Sequence, residues 1–176
     1  MDETVRMGLS SVERNEATDR DFECFFRDHH ERVFRALWLL SRDRHEAEEI
    51  TQEAFLRLWE RWGRVRLHAD PVAYLYRTAM NVWRSRVRRA AVAARRTLHP
   101  PRERDELADV DGRDAVVRAL AGLPPRQRAA IVLIDVLDLS SERAGSVLRI
   151  RPVTVRVLAA RARARLASEI GGSGDD

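Results

Sequence analysis

Between Arg61 and Arg96 ten arginines stand against a single acid, Asp70. That imbalance constrains the chain more than any other feature. So much uncompensated charge cannot enter a core, so this stretch must lie along a surface that meets something anionic. Its second part also has a clear local structure. Asp70 can cap a helix, and Pro71 suits a first-turn position where no amide hydrogen is needed. Val72, Leu75, Ala79, Val82 and Val87 recur at helical spacing and can be buried. The other surfaces of Pro71–Arg96 carry Tyr74, Tyr76, Arg77, Asn81, Trp83, Arg84, Arg86, Arg88 and Arg89. Guanidinium groups neutralise phosphates, aromatic rings stack on unpaired bases, and an asparagine amide pairs with a base edge. Tyr74 and Tyr76 suit a core role equally well.

The same charge logic divides the rest of the chain. Asp21 to Glu60 holds ten acids and six arginines, and Thr97 to Gly112 five acids and two arginines. Arg113 to Ile170 is basic again, with eleven arginines and five acids. Two basic segments alternating with acidic ones predict two nucleic-acid surfaces and an acidic helix that faces something else. All 32 basic residues are arginine, the side chain suited to planar, bidentate contacts. Cys24 is the only cysteine, which excludes a disulfide framework and a cysteine zinc site. No apolar run approaches a membrane span and no signal-peptide core opens the chain, so no membrane role and a cytoplasmic location are expected.

In chain order, residues 1–20 are polar without a period, and disorder is expected there. Phe22, Phe25, Phe26, Val33, Leu37 and Leu40 predict a helix over 21–40. His29 and His30 lie in it; adjacent residues do not share a helical face, so a metal role is not expected. After a turn at 41–44, Ile50, Ala54, Leu58 and Trp62 predict a second helix over 45–62. His45 and Glu49 are one turn apart, but H-E-x-x-H is absent and two ligands are too few. A loop is expected over 63–70, and a linker over 97–112, where Pro100-Pro101 is followed by mixed charge. If flexible, it would reach about 56 Å at full extension. Beyond it, short apolar periods predict a helix near 116–123, another from Pro124-Pro125 to Leu137, a short one capped by Ser140 or Ser141, and a final one from Pro152. A short helix, a tight turn and a basic second helix make a helix-turn-helix. A disordered tail is expected over 171–176.

These residues carry a resemblance. Arg42 to Phe55, RDRHEAEEITQEAF, resembles region 2.2 of the extracytoplasmic-function (ECF) sigma factors, the small two-domain sigma subunits of bacterial RNA polymerase. Tyr74, Leu75, Arg77, Ala79, Asn81, Arg88 and Arg89 match the family's region 2.4 pattern, with Ser85 where an aspartate is usual. Leu120 to Arg128, LAGLPPRQR, matches region 4, as do Leu139-Ser140, Leu148, Ile150, Thr154-Val155 and Arg161-Ala162-Arg163. The resemblance implies an all-α fold: a region 2 domain over 21–96 and a region 4 helix-turn-helix domain over 113–170. It implies binding to core RNA polymerase at the clamp coiled coil of the largest subunit, through Asp43, Glu46, Glu48, Glu49, Gln52 and Glu53, and also at the flap. It implies capture of the −10 strand by the helix at 71–96, and −35 reading by Arg151, Thr154, Arg156, Val157, Leu158 and Arg161. An anti-sigma factor is a further partner by resemblance; no cofactor, no metal and no catalytic residue are implied.

Three departures bear on region 4. Arg149 replaces the turn glycine and must adopt or avoid a positive φ at some cost. Arg143-Ala144-Gly145 replaces E-I-A and is expected to weaken its helix. Val157-Leu158 replaces S-R and leaves only apolar groups at the start of the reading face, unless they turn inward. Two other classes compete. A stand-alone helix-turn-helix regulator would explain 113–170 but not the acidic helix. A nucleic-acid-processing enzyme would need a P-loop, zinc motif or nucleophile–base set, none of which the sequence contains.

Overall fold

Three short polar side chains set where helices begin. Asp43 Oδ1 accepts from the Glu46 amide at 2.9 Å, Asp70 Oδ1 from the Ala73 amide at 2.8 Å, and Ser140 Oγ from the Arg143 amide at 3.2 Å. Each such cap is worth about 1 kcal/mol. The computed structural model describes residues 3–67, 70–96 and 113–171, without the side chains of 3–17, 94–96, 113–116 and 169–171. The helices are α1 Glu3–Ser41, α2 Arg44–Trp59, α3 Trp62–Val65, α4 Pro71–Arg96, α5 Arg113–Gly122, α6 Pro125–Ile131, α7 Ser141–Leu148 and α8 Pro152–Gly171. The expected linker at 97–112 lies outside the described residues, as does the expected tail at 171–176 apart from Gly171, which ends α8.

Three expectations change. Disorder over 1–20 gives way to helix from Glu3. No proline interrupts this stretch, and the packed part downstream supplies the costly nucleus, so propagation toward the N-terminus is inexpensive. The expected loop at 63–70 begins as the single turn α3, because Trp62 and Val65 are buried one turn apart. The helix expected from Pro125 to Leu137 widens at its end into a π-helical turn, Val132–Val136. There the Leu137 amide donates to the Val132 carbonyl at 3.0 Å. The wider turn lets Leu133 and Leu137 both reach a core before the chain leaves the helix.

The first unit packs α1, α2 and α4 around Val33, Leu37, Ile50, Leu58 and Leu75, all essentially inaccessible to water. An aromatic cluster closes one end. Phe22 lies 4.8 Å from Trp59 and 5.3 Å from Trp62, and Phe26 lies 4.7 Å from Phe55. His29 and His30 are members of this cluster, 4.4 Å from Phe25 and 4.7 Å from Phe26. Burial lowers the His29 pKa. Both histidines serve here as ring partners of the cluster.

The second unit packs α6, α7 and α8 around Ala130, Val132, Val147, Val155 and Ala162, with α5 against α8. Arg149 adopts the positive φ, at φ 56° and ψ 45°, and ends α7 in the left-handed conformation. Gly145 does more than weaken α7. A Cβ there would stand 2.8 Å from the Ile150 carbonyl oxygen, and the Ile150 amide donates back to the Gly145 carbonyl at 3.0 Å. The helix-turn-helix closes because position 145 has no side chain. The two units also pack on each other, with Leu133 and Leu137 facing Val33, Leu37, Tyr76 and Met80.

Candidate nucleic-acid interface

The acidic face of α2 is built by packing against α4. Arg86, expected on a DNA-facing surface, instead turns to α2 and donates to Glu49 and Glu53. Its hydrogen bond and charge hold the Glu49 carboxyl below the usual carboxylate range. Arg57 donates to Glu53 at 2.6 Å and Arg44 to Glu48 at 3.0 Å, one helical turn apart in each case. Glu49 and Gln52 are exposed, and Glu46, Glu48 and Glu53 are half-buried. Asp43 is occupied as the cap. The face therefore presents carboxylates that its own arginines already orient.

Along α4 the expected set divides. Tyr76 and Trp83 are each only 3% exposed and belong to the core. The physical reason is the width of the buried stripe. Leu75, Tyr76, Ala79, Met80, Val82 and Trp83 form a doubled apolar row, as required of a helix packed on two sides. That doubling was legible in the sequence. Arg84 is also drawn inward: it donates to the Leu148 carbonyl at 2.7 Å, the Val147 carbonyl at 3.3 Å and the Asn81 amide oxygen at 2.9 Å. Desolvation, then the charges of Arg149 and Arg88, lowers its pKa. Arg77 reaches Ser146 Oγ at 3.4 Å. Arg88 and Arg89 remain exposed.

Tyr74 and Asn81 help line a cleft of about 430 Å³, together with Arg57, Glu60, Arg61, Arg77, Thr78 and Arg149. Arg61 donates to the Tyr74 hydroxyl at 3.3 Å. Four guanidinium groups with a tyrosine and an asparagine can hold a phosphate chain and a base. Residue spacing does not mark Arg57, Arg61 and Arg149 as parts of this site. Arg61 begins the basic run; nothing in the spacing pointed to the other two.

On α8, and at Arg151 just before it, the expected residues stay outward. Arg151, Thr154, Arg156, Val157 and Arg161 are exposed. Leu158 is the exception, half-buried against the core, so it turns inward. Arg156 donates to Ser141 Oγ at 3.0 Å. Arg163 donates to the Asp135 carboxylate, which raises the Arg163 pKa. Val153, exposed beside Pro152, joins this surface unforeseen. Among the described residues no group of three or more His, Cys, Asp or Glu side chains is placed to hold a metal ion. No helix among them is long and apolar enough to cross a membrane.

Known proteins resemble this arrangement in both parts. Sigma-70 region 2 matches residues 25–92, and Sigma-70, region 4 matches residues 113–166. The ECF RNA polymerase sigma factor SigM of Mycobacterium tuberculosis is 35% identical over 153 residues, covering 85% of this chain and 77% of SigM. The ECF RNA polymerase sigma factor SigE of Mycolicibacterium smegmatis is 29% identical over 179 residues, covering 94% of this chain and 67% of SigE. Two solved structures share the fold. One is the sigma factor RpoE in complex with the anti-sigma factor NepR from Bartonella quintana: TM-score 0.73, 21% identity, 89% of this chain and 99% of that one. The other is CnrH in complex with the cytosolic domain of CnrY: TM-score 0.64, 23% identity, 90% and 91% of the two chains. With an acidic helix in one unit, an outward basic helix in the other and a basic cleft lined from both, the chain belongs to the ECF sigma factors of the sigma-70 family.

Proposed function

We propose that the acidic face of α2 docks on the clamp coiled coil of core RNA polymerase through Glu46, Glu48, Glu49, Gln52 and Glu53. Tyr74, Arg77, Asn81, Arg84, Arg88 and Arg89, with Arg57 and Arg61, then hold the unpaired −10 strand. Arg151, Thr154, Arg156, Val157 and Arg161 meet the −35 duplex in the major groove, near the polymerase flap. The observation that carries this reading is the segregation of charge. The first unit sets carboxylates on one face and, with Arg149 of the second unit, lines a guanidinium-rich cleft with a ring and an amide on another. A carboxylate face repels DNA and suits a basic protein surface; the cleft suits phosphates and exposed bases. The chain works by binding and positioning, in the cytoplasm, and the polymerase supplies the chemistry. A partner of the kind seen with RpoE, an anti-sigma factor, is part of the reading.

A stand-alone helix-turn-helix regulator would leave the α2 face and the cleft without a task. Run-off transcription with core polymerase, followed by start-site mapping, separates the two. Transcripts that start at a fixed distance from two recurring elements are expected. No increase over core polymerase alone would refute the proposal.

A further inference from the structure

The outermost line of α8 is apolar. Val153 is 52% exposed and Val157, one turn on, 43% exposed; Ala160 continues the line and is exposed too. With about 3.6 residues per turn, these positions lie opposite the buried Val155, Ala159 and Ala162. Arginines straddle the line. Arg161 and Arg165 run along one edge with Thr154, and Arg156 and Arg163 along the other. The second pair is held by the protein itself. Arg156 donates to Ser141 Oγ at 3.0 Å and lies 3.6 Å from Glu142, and Arg163 donates to Asp135 at 3.0 Å. Leu158, beside Val157, turns to the core. The helix therefore buries an apolar side chain where the core can reach it, and the two valines stand on the side that the core cannot reach.

A line of valine flanked on both sides by guanidinium groups fits a surface that is anionic at its margins and apolar at its floor. The major groove of duplex DNA is such a surface. Phosphates border it, and the C5 methyl of thymine is the apolar group that a base presents on its floor. We propose that α8 selects thymine by its methyl group: Val153 and Val157 pack against C5 methyls of the −35 element, while Arg161, Arg165 and Arg156 hold phosphates on either side. The proposal rests on the reading of α8 as the −35 helix and adds the class of base it prefers. Guanine is read by a bidentate guanidinium at the groove floor, and on this line the floor-facing groups are methyls instead.

The test uses the full chain with core polymerase and a single chemical change in the DNA. Uracil pairs as thymine does and lacks only the C5 methyl. A promoter fragment mapped by run-off transcription carries a randomised block in place of its −35 element. The block is made once with thymine and once with uracil, and the rest of the fragment is the same. Filter binding measures how much of each pool the holoenzyme retains, and the retained molecules are sequenced. Thymine should rise at fixed positions of the block. The best-retained sequences should bind about fourfold tighter for each methyl covered than the same sequences made with uracil. Val153→Ala with Val157→Ala should bring the two pools to equal retention. An effect of the methyl on the shape of the duplex would persist in that variant, so loss of the preference marks direct contact.

Equal retention of the two pools by the parent overturns the proposal, whatever the variant does. A thymine preference that the valine variant keeps overturns it as well. Arg161→Ala with Arg165→Ala judges the −35 reading separately. If the parent treats the pools alike and this variant retains them as the parent does, α8 does not meet the duplex, and the −35 reading falls with the proposal. If retention drops with the arginines while thymine and uracil stay equivalent, the methyl preference alone falls.

Discussion

The helices α4 and α8 begin alike and end differently. Each opens on a proline and is rich in arginine. Yet α4 packs against α1, α2 and α7 and buries a doubled apolar row that includes Tyr76 and Trp83. The buried row of α8, Val155, Ala159 and Ala162, is narrow and small. The consequence falls on the arginines. Arg84 and Arg86 of α4 end on the protein's own carbonyls and carboxylates, whereas Arg161 and Arg165 of α8 are exposed. A basic helix packed on two sides draws part of its charge inward; one packed on a narrow stripe keeps its arginines at the surface, two of the four, Arg156 and Arg163, on surface partners. Charge counts along a sequence do not separate these cases, but the width of the apolar stripe does.

The sharpest way to break this comparison is to cut each helix where the other would be silent. Trp83→Ala should cost about 3–5 kcal/mol of stability, as the removal of a buried indole does. A denaturant titration that finds the variant as stable as the parent would return Trp83 to the DNA-facing set. Next in size is the acidic face that Arg86 orients. Glu49→Arg with Glu53→Arg should lower affinity for core polymerase by about a hundredfold, since like charges across an interface cost several kcal/mol. Unchanged comigration in a native gel would remove α2 from the interface.

The turn that presents α8 comes third. Gly145→Ala forces a methyl group onto the Ile150 carbonyl and should cost about 1–3 kcal/mol, read as a lower melting temperature and weaker duplex binding. The smallest effect on the fold is expected at Arg161→Ala. Stability should stay within about 0.5 kcal/mol, while the salt dependence of duplex binding should lose about one phosphate contact. A stability loss as large as that of Trp83→Ala would mean that α8 is a structural helix like α4.

Much of the fold could be read from local chemistry. Asp70 caps α4 as expected, Ser140 rather than Ser141 caps α7, and Pro71 and Pro152 start their helices. The strain at Arg149 follows from a non-glycine residue in a tight helix-turn-helix, and it is present. The site was less legible. Arg86 meets Glu49 and Glu53 across more than thirty residues, and only the packing of α4 on α2 brings them together. Arg84 reaches α7 only because the two units dock, and no periodicity encodes where one unit lies on another. Leu158 turns inward because α8 buries one side of itself, which settles a position that its apolar nature alone left open.

In the proposed function the outward part of α4 holds unpaired bases while α8 reads duplex. Run-off transcription from one promoter, used fully paired and pre-melted across the −10 element, tests it most directly. Tyr74→Ala with Asn81→Ala should lose most activity on the paired template and recover much of it on the pre-melted one. Thr154→Ala with Arg156→Ala should lose the same fraction on both. Equal losses on the two templates for the Tyr74 and Asn81 variant would contradict the account, because a group that captures melted strand cannot be indifferent to whether melting has already been done.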